Sequence, residues 1–132
     1  MKTQNLQDQV VWITGASSGI GQALAIVFAE LGMHLILSAR RDSELQRVKA
    51  LLANQEKHIC IPLDITNAAQ IEQALQRVLT EKGRIDWLIN NAGLSQRALI
   101  QDTSMDTERK IMEVDYFAQV AMTKAVLPTL LK

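Results

Sequence analysis

Three glycines stand in the run Thr14-Gly15-Ala16-Ser17-Ser18-Gly19-Ile20-Gly21, after the apolar stretch Val10-Val11-Trp12-Ile13 and before apolar residues at helical spacing. Glycines between a strand and a helix have a physical use. Gly15 allows a tight turn, Gly19 lets a pyrophosphate approach the backbone, and Gly21 lets helix and strand pack closely. The free N–H groups and positive dipole end of the helix then hold the phosphates. Gly-Ser turns also join strands to helices for purely structural reasons, so the triplet acquires meaning from its surroundings. The next strand-to-helix turn comes about 20 residues on, where dinucleotide folds place an acid for a ribose 2′-OH or an arginine for a 2′-phosphate. Here it reads Ser38-Ala39-Arg40-Arg41. A guanidinium forks onto phosphate oxygens, which favours NADP(H) over NAD(H) as the ligand. The alternative is a pair of solvated arginines leading into a helix.

The elements that must position these groups are set by hydrophobic periodicity. Val10 to Ile13 is too short for a helix and reads as a strand buried on both faces, as in parallel sheets. Ile20, Ala23, Leu24, Val27, Phe28 and Leu31 mark a helix that Gly32 stops. Leu35-Ile36-Leu37 is a second strand, and Asp42 or Ser43 is expected to cap a second helix with Leu45, Val48, Leu51 and Leu52 inward. Ile59 to Leu63 is a third strand, placed at a sheet edge because Pro62 lacks a ladder donor. A third helix begins near Asn67, with Gln70 three residues on, and stops at Gly83. Ile85 to Ile89 is a fourth strand, running into Asn90-Asn91-Ala92-Gly93. A last helix from about Asp106 should turn Ile111, Val114, Ala118, Ala121, Met122 and Ala125 one way, and Pro128 should bend or end it. Alternating strands and helices predict an α/β fold: a doubly wound parallel sheet with helices on both faces, in a single domain over residues 1–132.

Composition bounds the partners. The 132 residues are 48% hydrophobic and 21% charged, and 14 Lys+Arg balance 14 Asp+Glu, so no basic excess supports binding along a nucleic acid. Met1 to Gln9 is polar with both charge signs, and no apolar run approaches the roughly 18 residues of a membrane span, so no membrane partner is expected. One cysteine, Cys60, suggests a reducing compartment, the cytoplasm, where it reads as an inert core thiol. His34 and His58 stand apart, which leaves no metal site and casts both as ordinary surface or satisfied histidines. Met105, Met112 and Met122 are expected in the core, and Tyr116 is expected to pack on the sheet or at an interface.

Thr-Gly-x-x-x-Gly-x-Gly at residues 14–21, together with Asn-Asn-Ala-Gly at residues 90–93, resembles the classical short-chain dehydrogenase/reductase (SDR) family over nearly the whole chain. The resemblance implies a Rossmann-like fold, incomplete after about four strands. It implies that Gly15, Ser17, Ser18, Gly19, Ile20 and Gly21 line the phosphates and ribose, and that Arg40 meets the 2′-phosphate. Asp64 and Ile65 would meet the adenine, and Asn91, Ala92 and Gly93 the adenosine ribose and nicotinamide side; a structural asparagine tying strands together is the other reading of Asn91. Family members catalyse with a Ser and a Tyr-x-x-x-Lys pair, which are expected beyond Lys132. Tyr116 is followed by Val120 and is not that tyrosine. Asp115 stands where the family usually has an Asn that helps hold a relay water; ionised, it accepts hydrogen bonds but cannot donate them. These residues therefore read as the NADP(H)-binding portion of an oxidoreductase, inactive alone, with a small carbonyl or alcohol substrate in the complete form and homo-oligomers through the last helix. The alternative is a non-catalytic dinucleotide-binding or interaction module ending at Lys132.

Overall fold

Side chains of β1 (Val10–Thr14) are buried along its whole length but alternate between two cores. The computed structural model describes residues 4–132, so the first three residues of the polar N-terminal stretch lie outside it. Val11 and Ile13 share one face with Leu35 and Leu37 of β2 (His34–Ser38), and α1 (Gly19–Glu30) and α2 (Asp42–Lys49) cover that face. Val10, Trp12 and Ile36 point the other way, toward α3 (Ala68–Lys82) and α5 (Ala118–Leu130). Period-two alternation inside continuous apolar runs thus builds helices onto both faces of one sheet.

With β3 (Ile59–Cys60) and β4 (Trp87–Ile89), the sheet is parallel in the order β3-β2-β1-β4. The chain therefore steps outward from β1 to β3 and returns to the opposite side of β1 for β4. That reversal opens a crevice at the carboxyl ends of β1 and β4, where open α/β sheets bind ligands. The pairing of Ile13 with Ile89 sets the two adjoining turns side by side.

Several boundaries differ from expectation. β3 is two residues long, yet Ile61 and Leu63 still donate backbone N–H bonds to Leu37 and Ala39 at 2.9 Å. Pro62 lies between them, at the position whose nitrogen faces away from β2, which is how the edge tolerates it. β4 begins at Trp87 rather than Ile85. Neither Asp42 nor Ser43 caps α2: Arg41 is the N-cap residue, and the acids Asp42 and Glu44 sit in the first turn, where they complement the dipole. Asn67 does cap α3, accepting from the Gln70 N–H at 3.1 Å, but the Gln70 side chain accepts from the Asp64 N–H instead of returning to Asn67. Gly83 closes α3 at φ 72°.

The last helix is interrupted. α4 (Met105–Met112), capped by Ser104, leads into a wide π turn, Glu113–Phe117, and then into α5, which runs through Pro128 to Leu130. Proline in a final turn removes a single hydrogen bond, so it does not end the helix. The wide turn rotates α5 relative to α4, burying Ala118, Met122 and Val126 while Ala121 faces solvent. Met105 and Met112 are exposed, against the expectation of core packing, and Tyr116 (54%) is exposed rather than packed on the sheet, which leaves the interface alternative for it.

Candidate functional site

Each residue of the glycine run has a distinct environment. Gly15 has φ 62°, and a Cβ there would lie 2.8 Å from the Ala92 Cα. Gly21 is boxed in by the Gly15 carbonyl and the Asn91 side chain, so only a hydrogen fits where α1 crosses β1. Gly19, at φ 54°, has nothing within 4 Å of the position a Cβ would take. The backbone at the start of α1 is therefore open to solvent. Ser18 is its N-cap residue without a side-chain cap bond, no acid stands in the first turn, and Ile20 is 71% exposed above it. Uncapped N–H groups, a positive helix end and an unobstructed approach fit a diphosphate. Ser17, half-buried, lies at the lip of this cradle.

The neighbouring turns are knotted to it. Thr14 Oγ1 accepts from the N–H groups of Asn91 and Ala92, both at 3.1 Å, and donates to the Ile89 carbonyl at 3.3 Å. Asn91 Nδ2 donates to the carbonyls of Thr14 at 3.2 Å and Gly15 at 3.1 Å. Asn91 is thus a strand tie whose amide donors are occupied, which leaves Oδ1 as its one side-chain group for a ligand. Thr14 is as central as Asn91; the sequence marks it as the first residue of the glycine motif but does not show what its hydroxyl bonds to. On the other side, the Ala16 N–H donates to the Ser38 carbonyl at 3.1 Å, holding the first turn against the second.

Arg40 is exposed on that second turn, close enough to Asp64 for its charge to act on the carboxylate. Hydrogen bonds from the Thr66 side chain and backbone hold the Asp64 carboxyl below its ordinary range, against the opposing effect of burial; Arg40 adds a smaller favourable contribution. Ile65 is buried and packs into the core beside α3. Its side chain, which the resemblance placed against adenine, is occupied with packing.

Past Gly93 an open cavity of about 490 Å³ is lined by Asn90, Gly93, Ser95, Asp115 and Gln119, among others. Asp115 lies in the wide turn, and its Oδ1 accepts the Leu94 N–H at 2.7 Å, so the carboxylate holds the segment after Gly93. Gln119, which sequence reasoning passed over, donates from Nε2 to the carbonyls of Ala92 at 2.5 Å and Val114 at 3.3 Å. Two carbonyl partners fix the amide orientation, because a flip would set oxygen against oxygen. Gln119 Oε1 is buried with no hydrogen-bond partner among the described residues. The glycine run, Arg40, Asp64, Asn91 to Gly93 and Asp115 all gather along the carboxyl ends of the strands. No group of three potential metal ligands occurs among the described residues, and no described helix is long and apolar enough to cross a membrane.

Comparison with known proteins agrees with this geometry. A family model described as short chain dehydrogenase matches residues 9–132. The human protein "Dehydrogenase/reductase SDR family member 7" is 52% identical over 132 residues, covering 96% of this chain and 39% of the human one. Its mouse counterpart is 47% identical with the same coverage. The chain thus spans about two fifths of the length of these curated relatives. Among solved structures, a short-chain type dehydrogenase/reductase from Mycobacterium marinum superposes with a TM-score of 0.89 at 28% identity, over 95% of this chain and 51% of that one. A 3-ketoacyl-(acyl-carrier-protein) reductase from Brucella melitensis, complexed with NADH, gives 0.88 at 26% identity, over 94% of this chain and 50% of that one. The matched length, the fold and the glycine run agree: the chain belongs to the short-chain dehydrogenase/reductase family, oxidoreductases that bind a nicotinamide dinucleotide.

Proposed function

We propose that residues 1–132 form the NADP(H)-binding portion of an oxidoreductase whose complete form exchanges hydride with a carbonyl or alcohol carbon. The observation that carries the reading is the placement of an exposed guanidinium, Arg40, on the turn hydrogen-bonded to an open, uncapped helix start. In this reading the N–H groups at the start of α1 hold the diphosphate, and Ser17, Ser18 and Ile20 flank it. Arg40 takes the 2′-phosphate, which the small Ala39 leaves accessible. The cofactor supplies the hydride chemistry. Thr14 and Asn91 keep the two turns at a fixed separation, and Asp115 and Gln119 shape the cavity beyond Gly93. The exposed row Met112, Tyr116, Phe117 and Val120 supports association of copies through α4 and α5.

Titration of the intact protein with NADPH and NADH tests the cofactor assignment. A charge-assisted phosphate contact is worth about 1.5–3 kcal/mol, so Arg40→Ala should weaken NADPH by about 10- to 100-fold and leave NADH unchanged. Equal affinities of the native protein for both cofactors would remove Arg40 from this role.

A further inference from the structure

Arg47 belongs to α2, yet its guanidinium is turned toward the other strand-to-helix turn. Its Nη2 donates to the backbone carbonyl of Ser17 at 2.8 Å and to Gln22 Oε1 on α1 at 3.2 Å, while Nε lies 3.1 Å from Glu44 Oε2. One planar fork therefore ties the glycine turn, α1 and α2 together, a geometry that a lysine ammonium does not reproduce. As a surface ion pair with Glu44 it would contribute little to stability.

The bond to Ser17 has a directional consequence. In a trans peptide the carbonyl of Ser17 and the N–H of Ser18 lie in one rigid plane and point in opposite directions. Holding the carbonyl toward α2 fixes the Ser18 N–H on the far side. A cationic donor on the oxygen also polarises the peptide and strengthens its N–H. We infer that Arg47 is a positioning residue of the cofactor site: by clamping the Ser17 carbonyl it presents the Ser18 N–H to the diphosphate. Arg40, seven residues earlier on the turn before α2, serves the 2′-phosphate, so the two arginines divide the cofactor's anionic groups between them. The inference rests on the dinucleotide reading of the site.

Two ligand fragments separate the roles. ADP carries the diphosphate without a 2′-phosphate, and 2′-AMP carries the 2′-phosphate without a diphosphate. In the intact protein, with ligand titration under NMR observation, Arg47→Met should weaken ADP by about tenfold and leave 2′-AMP unchanged. It should weaken NADPH and NADH by the same factor. Arg40→Ala should do the reverse, weakening 2′-AMP and sparing ADP. ADP binding equal in Arg47→Met and native protein overturns the inference while the cofactor reading stands. Equal weakening of ADP and 2′-AMP in Arg47→Met also overturns it, since that is the mark of general damage to the site. Native protein that binds neither fragment overturns the cofactor reading, and the inference with it.

Discussion

Thr14 shows how much of a binding site can depend on one hydroxyl. It receives two backbone N–H groups from the turn after β4 and returns a bond to Ile89. Thr14→Val keeps the shape but leaves those donors facing a methyl group, at a cost of about 1–3 kcal/mol for each unsatisfied group. Urea unfolding should therefore show a loss of about 2 kcal/mol or more for Thr14→Val and much less for Thr14→Ser; equal stabilities would show that the knot is dispensable. Asp115 poses a different question. Its Oδ1 accepts from Leu94, a role that an asparagine oxygen can also fill, but an amide adds a donor where the carboxylate has none. In the active, intact protein, Asp115→Asn should leave NADPH affinity within about threefold and shift kcat or its pH profile. A loss of affinity beyond about tenfold would mean that Asp115 contacts the cofactor rather than the segment beside it. The motif residues were legible in the sequence, since the spacing of the glycines and their place between a buried strand and a helix are both local features. Gln119 and Arg47 were not, because a polar residue on a helix surface acquires a role only from what packs opposite.

At the scale of elements, a histidine continues the contact of β2 with the edge segment just ahead of β3. His58 is buried; its Nδ1 accepts the Leu35 N–H at 3.1 Å, and its Nε2 donates to the Ala53 carbonyl at 2.7 Å. Those partners require the neutral ring, protonated on Nε2 only. Burial, joined by the nearby Lys82, His34 and Lys49, lowers its pKa below the ordinary histidine value, against the opposing Ala53 carbonyl. Near and somewhat below pH 6.5 the unfolded chain therefore binds the proton more readily than the folded one. The stabilising contribution is present above the unfolded value and disappears as the pH falls through the lower folded one. Urea midpoints measured from about pH 8 to 5 should fall across that window and flatten in His58→Gln; an unchanged slope would show that other groups carry the effect. The sequence cast His58 as an ordinary surface or satisfied histidine, and only the fold shows which backbone groups satisfy it. The π turn at Glu113–Phe117 was likewise not foreseen: the sequence was read with one unbroken helical period, and the shift in phase shows only where α5 meets the sheet.

For the whole molecule, the strand order leaves β4 paired only with β1 among the described residues, with Trp87 38% exposed on it. An unpaired parallel edge beside the apolar row on α4 and α5 invites association. Residues 1–132 expressed alone should sediment as oligomers or aggregates; a monomer with a cooperative melt would show that this portion is self-sufficient. The same preparation should show no NADPH oxidation above background with a panel of ketones. The site offers cofactor-binding groups, and its one tyrosine, Tyr116, is exposed and paired edge-to-face with Phe117. Turnover that survives purification and depends on Tyr116 or Asp115 would reverse that expectation.

The sequence by itself determined the alternation of strands and helices, the edge position of the proline-bearing strand and the glycine run, because each is encoded within a few neighbouring residues. Local periodicity sets burial, a missing N–H bars an interior strand, and a positive φ selects glycine. Tertiary structure decided the rest. The return of β4 to the far side of β1, the knot of Thr14 with Asn91, the reach of Arg47 to Ser17 and the rotation that exposes Ala121 all join residues distant in the chain or depend on one added residue in a turn. Contacts of that kind depend on how packed layers meet, and hydrophobic spacing along a single element carries no record of the neighbour it will face.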